Sequence, residues 1–591
     1  MGTMTTDTNA TATQDALPSW FPRWASDLGE LYFSGTTSMF VLGGNTFDLV
    51  AMDGSETPRF GGLAEFLAEQ LFGRWDLVLH YDLARGLRCL AGADEKRLAA
   101  MVALTNQRVG DLTKIGKEPA AVLGALDRFV QRNIMAPEGE RTRLALLIDH
   151  ASYVVPRGER MSSQSAAHIV TLLNWAQSPY VKRINMAFVL MDSRLGEVSE
   201  RITTNPHVAT LEIGLPEQPD RRRFLATATR ARQLATFSDY GLEELASLTA
   251  GVSFTDLEVL VQSSIETGRR LDAARFSVLK KRLIERQAQD LVEFVAPRWG
   301  LDTVIGHDAA KARLRDDAEL IRRGALSSVP MGYLVCGPVG TGKSFLAECT
   351  AGDIGIPCLK LKSFRSKYVG ETEANLQRVL SVLRGMGPVL VMVDEADAML
   401  GDRDQGGDSG VGSRVFGMIA SQMGDTKYRG RILWMLLTAR PDLLPIDLKR
   451  QGRAEVHIPL FYPTDDAEIR ALFVGMAKKN GATLRPEDVP PIPFTGQISG
   501  ADIEALVGRA QRESLIAGSP SVTAAHLAAA VQGFLPSTQS LERELQEITA
   551  IIECTDRAFL PPSAVKRLEV AGGREKLQER LNVLKQLVAG Q

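Results

Sequence analysis

The sequence has few cysteines and no long hydrophobic segment. None of its five cysteines lies in a CxxC pair or a Cys/His cluster, which argues against a zinc site or a disulfide framework and is typical of a reducing compartment. No apolar run approaches the roughly 18 residues that a membrane-spanning helix needs. The N-terminal residues have neither the basic nor the apolar region of a signal peptide. These absences predict a cytoplasmic protein with no membrane span.

A strong charge of either sign is also missing. Lys and Arg number 68 and Asp and Glu number 71, so the formal net charge is −3. Nucleic-acid-binding domains usually carry a basic excess, and this balance predicts no nucleic-acid partner. A hydrophobic fraction of 45% over 591 residues is enough for about three to four globular domains.

Short apolar runs alternate with helical patterns along most of the chain, which predicts βα units and parallel sheets. The strand candidates are residues 39–42, 77–81, 144–148 and 187–191 in the first half, and 333–336, 358–361, 389–393 and 432–437 in the second. A charged helix is predicted over residues 278–293. From about Asp465 to Ser540 the pattern is helical only. Amphipathic helices are predicted again near the C-terminus, around Leu545 and Leu581.

The two halves of the chain repeat one another. VSFTDLEVLV at residues 252–261 resembles ISGADIEALV at residues 498–507. An apolar strand that ends in Asp lies upstream of each motif, at Asp149 and at Asp394. From this residue to the Asp inside the motif there are 107 residues in the first half and 108 in the second. This agreement in order and spacing predicts a duplicated domain.

A glycine-rich phosphate-binding motif stands in the second half. GPVGTGKS matches the P-loop pattern GxxxxGK[ST], follows a predicted strand and opens a predicted helix. The residues of this motif are Gly337, Pro338, Val339, Gly340, Thr341, Gly342, Lys343 and Ser344. Glycines let backbone N–H groups turn toward phosphate oxygens, and the helix N-terminus adds a positive dipole. The motif predicts that Lys343 contacts the β- and γ-phosphates of ATP and that Ser344 binds Mg²⁺.

The apolar strand predicted at residues 389–393 ends in two acidic residues. A carboxylate at this end of a buried parallel strand lies beside the P-loop, so Asp394 is predicted to bind Mg²⁺. Glu395 is then placed to orient and polarise the attacking water, and we interpret it as catalytic.

Residues 301–533 resemble the AAA family of ATPases, which includes FtsH, katanin, spastin and valosin-containing protein. The resemblance rests on the P-loop, the Asp-Glu pair and the segments around them. It implies an α/β P-loop fold with a small helical lid, ATP and Mg²⁺ as cofactors, and a homo-oligomeric ring, expected to be a hexamer, that acts on protein substrates. SKYVGETEANLQRVL matches the pore loop of the family, so Tyr368, Val369 and Gly370 would face the central pore. A tyrosine packed on the following helix is the alternative.

ILWMLLTARPDLLPIDLKRQGRAEVHI resembles the sensor-1 strand and arginine-finger segment of the family. The match implies that Arg450 and Arg453 reach the γ-phosphate held by a neighbouring subunit, where guanidinium groups stabilise developing charge. A solvated basic turn is the alternative. The family has Asn after Thr at sensor 1, whereas Ala439 follows Thr438 in this sequence. The missing amide predicts slow turnover, or a substituting catalytic role for Thr438.

Shorter resemblances complete the assignment. Ile305 and Gly306 match the segment that lies along the adenine, and Gly500 and Ala501 match the sensor-2 turn. The tandem layout and GSRVFGMIASQM at residues 412–423 are also similar to uncharacterised tandem AAA proteins of chloroplasts and cyanobacteria, and to AAA ATPases encoded with contractile injection systems.

The first half lacks the residues that hydrolysis needs. No GK[ST] occurs in residues 1–290, and His150 stands where the second half has Glu395. A histidine cannot act as that carboxylate, and without the P-loop lysine the phosphates lose their main cation. We interpret this half as a degenerate AAA-like domain that serves as a ring tier or partner platform. A general base or metal ligand at His150 is the alternative.

The predicted fold class is α/β, with a degenerate AAA-like domain before an AAA+ P-loop ATPase domain and its helical lid. The predicted segments are a disordered tail (1–18), the degenerate domain (19–290), the large ATPase domain (291–464), the lid (465–535) and a C-terminal helical extension (536–591). The extension is expected to pack on the lid or on a neighbouring subunit, and docking of a partner is the alternative. The predicted function is an ATP-hydrolysing motor that remodels, unfolds or threads proteins. A slow scaffold, switch or assembly chaperone is the alternative.

Overall fold

The chain folds into two compact units, residues 1–280 and 281–591. The computed structural model describes residues 17–158, 162–229, 234–288, 291–362, 369–400, 409–493, 495–519, 521–535, 540–570 and 572–589. Most of the predicted N-terminal tail lies outside these residues. No described helix has the length and apolarity needed to cross a membrane.

The first unit consists of a sheet covered by helices, followed by a helical segment. Its strands are β1 (Met39–Gly44), β2 (Leu49–Ala51), β3 (Phe60–Gly62), β4 (Leu77–Asp82), β5 (Gly86–Cys89), β6 (Leu144–Asp149), β7 (Met186–Asp192) and β8 (Val208–Ile213). Its helices are α1 (Arg23–Phe33), α2 (Leu63–Phe66), α3 (Glu95–Arg108), α4 (Pro119–Met135), α5 (Ala151–Val154), α6 (Ser163–Gln177), α7 (Glu200–Thr203), α8 (Gln218–Ala228), α9 (Leu242–Leu248), α10 (Phe254–Thr267) and α11 (Ala273–Gln287), which crosses the boundary between the units.

The main sheet of the first unit has six strands in the order β5-β4-β6-β7-β1-β8. All neighbours pair in parallel except β4 and β5, which form an antiparallel pair at one edge. The central strands are continuous apolar runs, as in LALLI of β6, and they are fully buried. This is the pattern of a parallel sheet that is covered on both faces.

The second unit has a sheet of the same design, a lid of three helices and a C-terminal group of helices. Its strands are β9 (Val292–Val295), β10 (Gly332–Cys336), β11 (Cys358–Leu361), β12 (Val389–Val393), β13 (Ile432–Thr438) and β14 (Val456–Pro459). Its helices are α12 (Asp308–Arg322), α13 (Lys343–Ile354), α14 (Val369–Gly385), α15 (Ala396–Leu400), α16 (Ser409–Gly424), α17 (Asp466–Lys479), α18 (Gly500–Ile516), α19 (Ala524–Gln532), α20 (Ser540–Glu553), α21 (Pro562–Glu569) and α22 (Gly573–Ala589).

The two sheets share one topology. The second sheet has the order β14-β10-β13-β12-β11-β9, with β9 antiparallel at the edge. When the five parallel strands of each sheet are numbered along the chain, both sheets have the order 5-1-4-3-2. Ligands of open parallel sheets bind at the carboxyl ends of the strands, near the point where the strand order reverses. In the second unit this point lies where β10, β12 and β13 end side by side.

The expectation of one helix over residues 278–293 was wrong at its end. Helix α11 stops at Gln287, and Val292–Val295 forms strand β9, antiparallel to β11. Its apolar Val292 is buried, and its pairing adds an edge to the sheet. Strands β8 and β14 were not predicted, because β8 alternates buried and exposed residues and β14 has only four residues.

The C-terminal helices are amphipathic, as the spacing of their leucines and isoleucines predicts. Leu545, Ile548, Leu581 and Leu584 are buried together in a separate core. Helix α20 packs against β14 and against the turn Pro441–Leu443. The main contacts of α20 outside the extension are thus with the ATPase domain of its own chain, so the expectation that the extension packs on the lid was wrong, while packing on a neighbouring subunit stays a prediction.

Candidate active site

The loop after β10 has the backbone shape that its glycines predict. Gly337, Gly340 and Gly342 have φ of 140°, 84° and 83°, a region that side chains disfavour. A Cβ on Gly337 would lie 2.1 Å from the carbonyl oxygen of Leu460, whereas a Cβ on Gly342 would meet nothing within 4 Å. The loop is thus packed tightly at its base and open at the start of α13.

Helix α13 begins at Lys343, directly after Gly342, and no side chain among the described residues caps its N-terminus. Its first N–H groups have no intrahelical acceptors, so an anion can bind them. Thr341 Oγ1 donates to the carbonyl of Pro338 at 2.9 Å and holds the loop closed on itself. This arrangement fits the phosphates of a nucleotide.

The Lys343 ammonium lies inside the loop. Its Nζ donates to the carbonyl oxygens of Gly337 and Pro338, at 2.9 Å each. Burial lowers the pKa of Lys343 to about 8. A partly desolvated cation within the loop is well placed to pair with phosphate oxygens.

The acidic pair after β12 lies beside the P-loop, as predicted. Asp394 Oδ2 accepts a hydrogen bond from Ser344 Oγ at 3.3 Å, so the two predicted Mg²⁺ ligands converge on one place. A hydroxyl and a carboxylate are the oxygen ligands that Mg²⁺ prefers, and the residues therefore fit this ion. Glu395 is exposed, with a left-handed φ of 48°, and its N–H donates to Asp394 Oδ1 at 3.1 Å.

A lysine that sequence reasoning missed also reaches this aspartate. Lys360, on β11, donates from Nζ to Asp394 Oδ2 at 2.7 Å. This hydrogen bond raises the pKa of Lys360. The two residues are 34 positions apart in sequence. No local motif joins them, and only the pairing of β11 with β12 could have revealed the contact.

Thr438 lies at the end of β13, between β10 and β12, where the resemblance places sensor 1. It is 1% exposed, and its Oγ1 donates to Asp397 Oδ1 at 2.6 Å while accepting the N–H of Arg440 at 2.8 Å. The hydroxyl proton is thus committed to Asp397, another residue that sequence reasoning missed. This geometry favours a positioning role for Thr438 over a direct catalytic one.

The sensor-2 turn lies against the P-loop. The N–H of Ala501 donates to the carbonyl of Gly340 at 3.4 Å. Ser499 and Asp502 cap each other at the start of α18, which fixes the turn that contains Gly500. The structure therefore brings the predicted residues Gly500 and Ala501 to the loop.

The predicted adenine segment packs on the first lid helix, α17. A Cβ on Gly475 would lie 2.8 Å from Ile305 Cδ1, and a Cβ on Gly306 would lie 2.0 Å from Glu468 Oε1. Gly306 has a φ of 75°, which favours glycine. Burial lowers the pKa of the next residue, His307, to about 4 and keeps it neutral.

The two predicted arginine fingers differ in their surroundings. The Arg450 side chain is 60% exposed and lies 3.4 Å from the Asp447 carboxylate. The Arg453 side chain is 15% exposed and donates to the carbonyl of Asp447 at 2.8 Å. Of the two, Arg450 is the more exposed to solvent, while Arg453 supports the turn.

The predicted pore loop lies mostly outside the described residues. Tyr368 belongs to the segment that is not described. Val369 and Gly370 open helix α14, and the structure describes only their backbone. Their role in a pore stays a prediction.

Helix α20 adds a contact to the P-loop that sequence reasoning did not find. Gln546 Oε1 accepts the N–H of Val339 at 3.1 Å, and Tyr462 donates from its hydroxyl to the carbonyl of Val339 at 2.8 Å. The same helix ends at Glu553, which pairs with Lys449 beside the finger segment. One helix therefore contacts both the P-loop and the arginine turn.

In the first unit, the loop after β1 corresponds to the P-loop after β10, and the carboxylate of Asp48 occupies this place. After β1 the chain reads NTFD, and Asp48, 5% exposed, accepts the N–H groups of Phe254 and Thr255 at 2.9 Å each. It also accepts the Thr255 hydroxyl and the Asn45 amide, at 3.0 and 2.8 Å. The N-terminus of α10 is thereby satisfied internally. The loop leads to the β2–β3 hairpin, where the second unit has a P-loop helix.

The end of β6 nevertheless keeps the geometry of the end of β12. His150 follows Asp149 with a left-handed φ of 52°, and its N–H donates to Asp149 Oδ1 at 2.9 Å. These values match those of Glu395 and Asp394. The backbone of the site is therefore present twice, while the side chains that suit hydrolysis occur in the second unit.

Three family descriptions match the chain. "AAA+ chaperone, N-terminal Rossmann-like domain" matches residues 13–214, and "AAA+ chaperone, second helical domain" matches residues 219–289. "ATPase family associated with various cellular activities (AAA)" matches residues 333–462, which include the P-loop and the acidic pair.

Individual relatives agree with these matches. A "Cell division cycle protein 48 homolog" of Archaeoglobus fulgidus is 26% identical over 408 residues, which are 64% of this chain and 55% of that protein. An "ATP-dependent zinc metalloprotease FtsH" of Acidothermus cellulolyticus is 28% identical over 290 residues, 46% of this chain and 42% of that protein. An "Uncharacterized AAA domain-containing protein ycf46" of Gracilaria tenuistipitata var. liui is 28% identical over 236 residues, 39% of this chain and 47% of that protein.

The chain thus spans about half the length of the curated relatives that it matches. The family descriptions, the repeated 5-1-4-3-2 sheets and the P-loop beside its acidic pair agree with one another. The chain belongs to the AAA+ ATPases of the valosin-containing-protein and FtsH type, with an N-terminal Rossmann-like domain before the ATPase domain.

Proposed function

We propose that the protein binds ATP with Mg²⁺ in the second unit, hydrolyses it, and acts as a cytoplasmic homo-hexameric motor that remodels, unfolds or threads protein substrates. The observation that carries the ATP binding and hydrolysis in this proposal is the placement of Lys343, Ser344, Asp394 and Glu395 at the carboxyl ends of β10 and β12. These four residues supply the cation, the metal ligands and the general base that phosphoryl transfer to water requires.

Each residue has a distinct task in this reaction. The N–H groups at the start of α13 and the Lys343 ammonium hold the phosphates. Bound Mg²⁺ supplies charge neutralisation, with Ser344 and Asp394 as its protein ligands. Glu395, exposed at the end of β12, accepts a proton from the attacking water and orients it. The left-handed backbone at Glu395 turns its side chain out of the strand direction.

Arg450 completes the site in a neighbouring subunit. It is exposed, and it follows β13, the strand that lies between the P-loop strand and the acidic strand. A guanidinium that arrives from outside stabilises charge that develops on the γ-phosphate. A ring in which each subunit completes the next can pass hydrolysis from site to site, which supports the motor proposal. The first unit then serves as a ring tier or partner platform.

A slow ATP-dependent scaffold, switch or assembly chaperone is the second candidate function. Ala439 has no side-chain amide to position water, and the Thr438 hydroxyl donates its proton to Asp397. Both observations favour low turnover.

Mixing two inactive variants tests whether the arginine acts between subunits. The Arg450→Ala variant keeps the general base Glu395, and the Glu395→Gln variant keeps the arginine finger Arg450. Each variant alone is expected to lose ATPase activity about a thousandfold while still binding ATP. In a random equimolar ring, about one interface in four pairs an intact base with an intact finger, so about a quarter of the wild-type rate should return.

Arg431→Ala is the matched control, because Arg431 is an exposed arginine just before β13. It should retain the wild-type rate. A mixture that stays as inactive as its components would contradict a finger that acts between subunits, and with it the ring motor.

A further inference from the structure

Lys360 holds an unusual position in the ATP site. It lies on β11, opposite Met392 of β12, and Asp394 follows two residues later at the end of β12. Its Nζ lies 2.7 Å from Asp394 Oδ2, the same oxygen that Ser344 Oγ approaches at 3.3 Å. Both side chains of the ion pair are partly shielded, 36% and 26% exposed. The ammonium thus sits on the carboxylate oxygen at which the protein ligands of Mg²⁺ converge.

Two further carboxylates lie near Lys360. Glu293 stands directly opposite it on β9, and Glu348 lies on α13, one turn beyond Ser344. Both carboxylates act electrostatically on Lys360. An ammonium that leaves Asp394 therefore has acceptors close by, and the flexible stem of a lysine allows that movement.

The first unit places a basic side chain at the same register. His80 lies opposite Leu147 of β6, and Asp149 follows two residues later. Arg88 Nη2 lies 3.1 Å from His80 Nδ1, and the other ring nitrogen, Nε2, lies 3.8 Å from Asp149 Oδ2. This unit has no P-loop lysine, yet it keeps a basic group against the aspartate. A basic side chain beside this aspartate therefore occurs in both units, including the unit without a P-loop lysine.

We propose that Lys360 is an internal counterion of Asp394, displaced toward Glu293 and Glu348 when nucleotide binds with Mg²⁺, and that it sets how strongly nucleotide binding depends on Mg²⁺. The inference rests on the proposed ATP site. Lys360 acts through Asp394 and is a positioning residue.

The charges give the direction of the effect. With Lys360 present, Asp394 is neutralised and repels a metal-free triphosphate less. The same ion pair must open before Asp394 can ligate Mg²⁺, so it weakens the coupling between metal and nucleotide. Removal of the Lys360 charge leaves Asp394 free to repel a metal-free triphosphate and to ligate Mg²⁺ without breaking an ion pair. Because coupling between two ligands is reciprocal, nucleotide binding then depends more strongly on Mg²⁺.

The test compares nucleotide affinity in excess EDTA and in excess Mg²⁺, with the non-hydrolysable analogue AMP-PNP as the probe and calorimetry of the full chain as the readout. The quantity is the ratio of the Kd in EDTA to the Kd in Mg²⁺. Lys360→Met is expected to raise this ratio about tenfold. Lys360→Gln, which keeps a donor without the charge, is a second neutral variant with the same expected result. Lys360→Arg keeps the charge and should stay near the wild-type ratio.

Lys362→Met is the matched control, since Lys362 is an exposed lysine two residues further along the chain. A ratio in Lys360→Met and Lys360→Gln that equals or falls below that of the wild type would overturn the inference, and so would an equal rise in Lys362→Met. Wild-type protein that binds AMP-PNP in neither buffer would overturn the proposed ATP site itself, which separates the two failures.

Discussion

At the scale of single residues, a left-handed backbone conformation follows the aspartate at the end of β6 and the aspartate at the end of β12. Among the described residues other than glycine, His150, His307 and Glu395 have positive φ. Two of them follow the aspartate at the end of the third parallel strand in their sheets. A left-handed conformation costs such residues on the order of 1 kcal/mol. Both units bear this cost, although only Glu395 has a carboxylate to present.

The motif residues could be predicted one by one, because the P-loop and the acidic pair are local patterns with a known strand before them. Other residues of the two sites could not be predicted, because their partners lie between 34 and 207 positions away in the sequence. These residues are Lys360, Asp397, Gln546 and Asp48. Such contacts depend on strand order and helix packing, which residue spacing alone does not determine.

Asp48→Ala is expected to lower the free energy of unfolding by about 3 kcal/mol. The change leaves the buried Phe254 N–H and the partly buried Thr255 N–H without their acceptor, and a lost charge-assisted network of this kind is among the costly substitutions. Denaturant unfolding followed by circular dichroism measures the change.

Asp27→Ala removes a half-buried aspartate of the same unit, paired with Arg23 at 3.9 Å, and should cost less than about 0.5 kcal/mol. Equal losses in the two variants would show that Asp48 does not stabilise the start of α10.

At the scale of elements, the buried parallel strands and the amphipathic helices followed from the sequence, because their periodicity is strong. The partly exposed strand β8 and the short strands β9 and β14 did not, because they are recognised by the neighbours with which they pair. Amphipathicity also shows that a helix has a buried face without showing what covers it. Helix α20 is covered by α22, by β14 and by the turn Pro441–Leu443, so the expectation of packing on the lid was wrong, while packing on a neighbouring subunit stays a prediction.

Gln546→Leu tests whether α20 holds the P-loop. The substitution keeps the bulk of the side chain and removes the acceptor of the Val339 N–H. The loop should become more mobile, with faster amide hydrogen exchange over residues 337–344 and a loss of about 1 kcal/mol in the free energy of unfolding. Hydrogen exchange read by mass spectrometry measures the first effect.

Gln578→Leu on α22 is the control, because Gln578 is exposed and contacts only Asn582 among the described hydrogen bonds. It should leave exchange in the loop unchanged. If Gln546→Leu also leaves it unchanged, α20 does not stabilise the loop.

At the scale of the whole molecule, one sheet topology appears twice with different contents. The second unit keeps an open helix N-terminus after its first parallel strand, with a lysine in the loop. The first unit places a carboxylate of its own at the start of α10, where the second unit has its sensor-2 turn. The relatives named above support the family and the fold, while the motor activity, the ring and the substrate are proposals of their own.

The number of nucleotides bound per chain tests this account most directly. Calorimetric titration of the full chain with AMP-PNP and Mg²⁺ should give a stoichiometry of about one per chain, and Lys343→Ala should abolish binding, because the single site depends on the P-loop cation. Two nucleotides per chain, or one that persists in Lys343→Ala, would contradict a nucleotide site confined to the second unit.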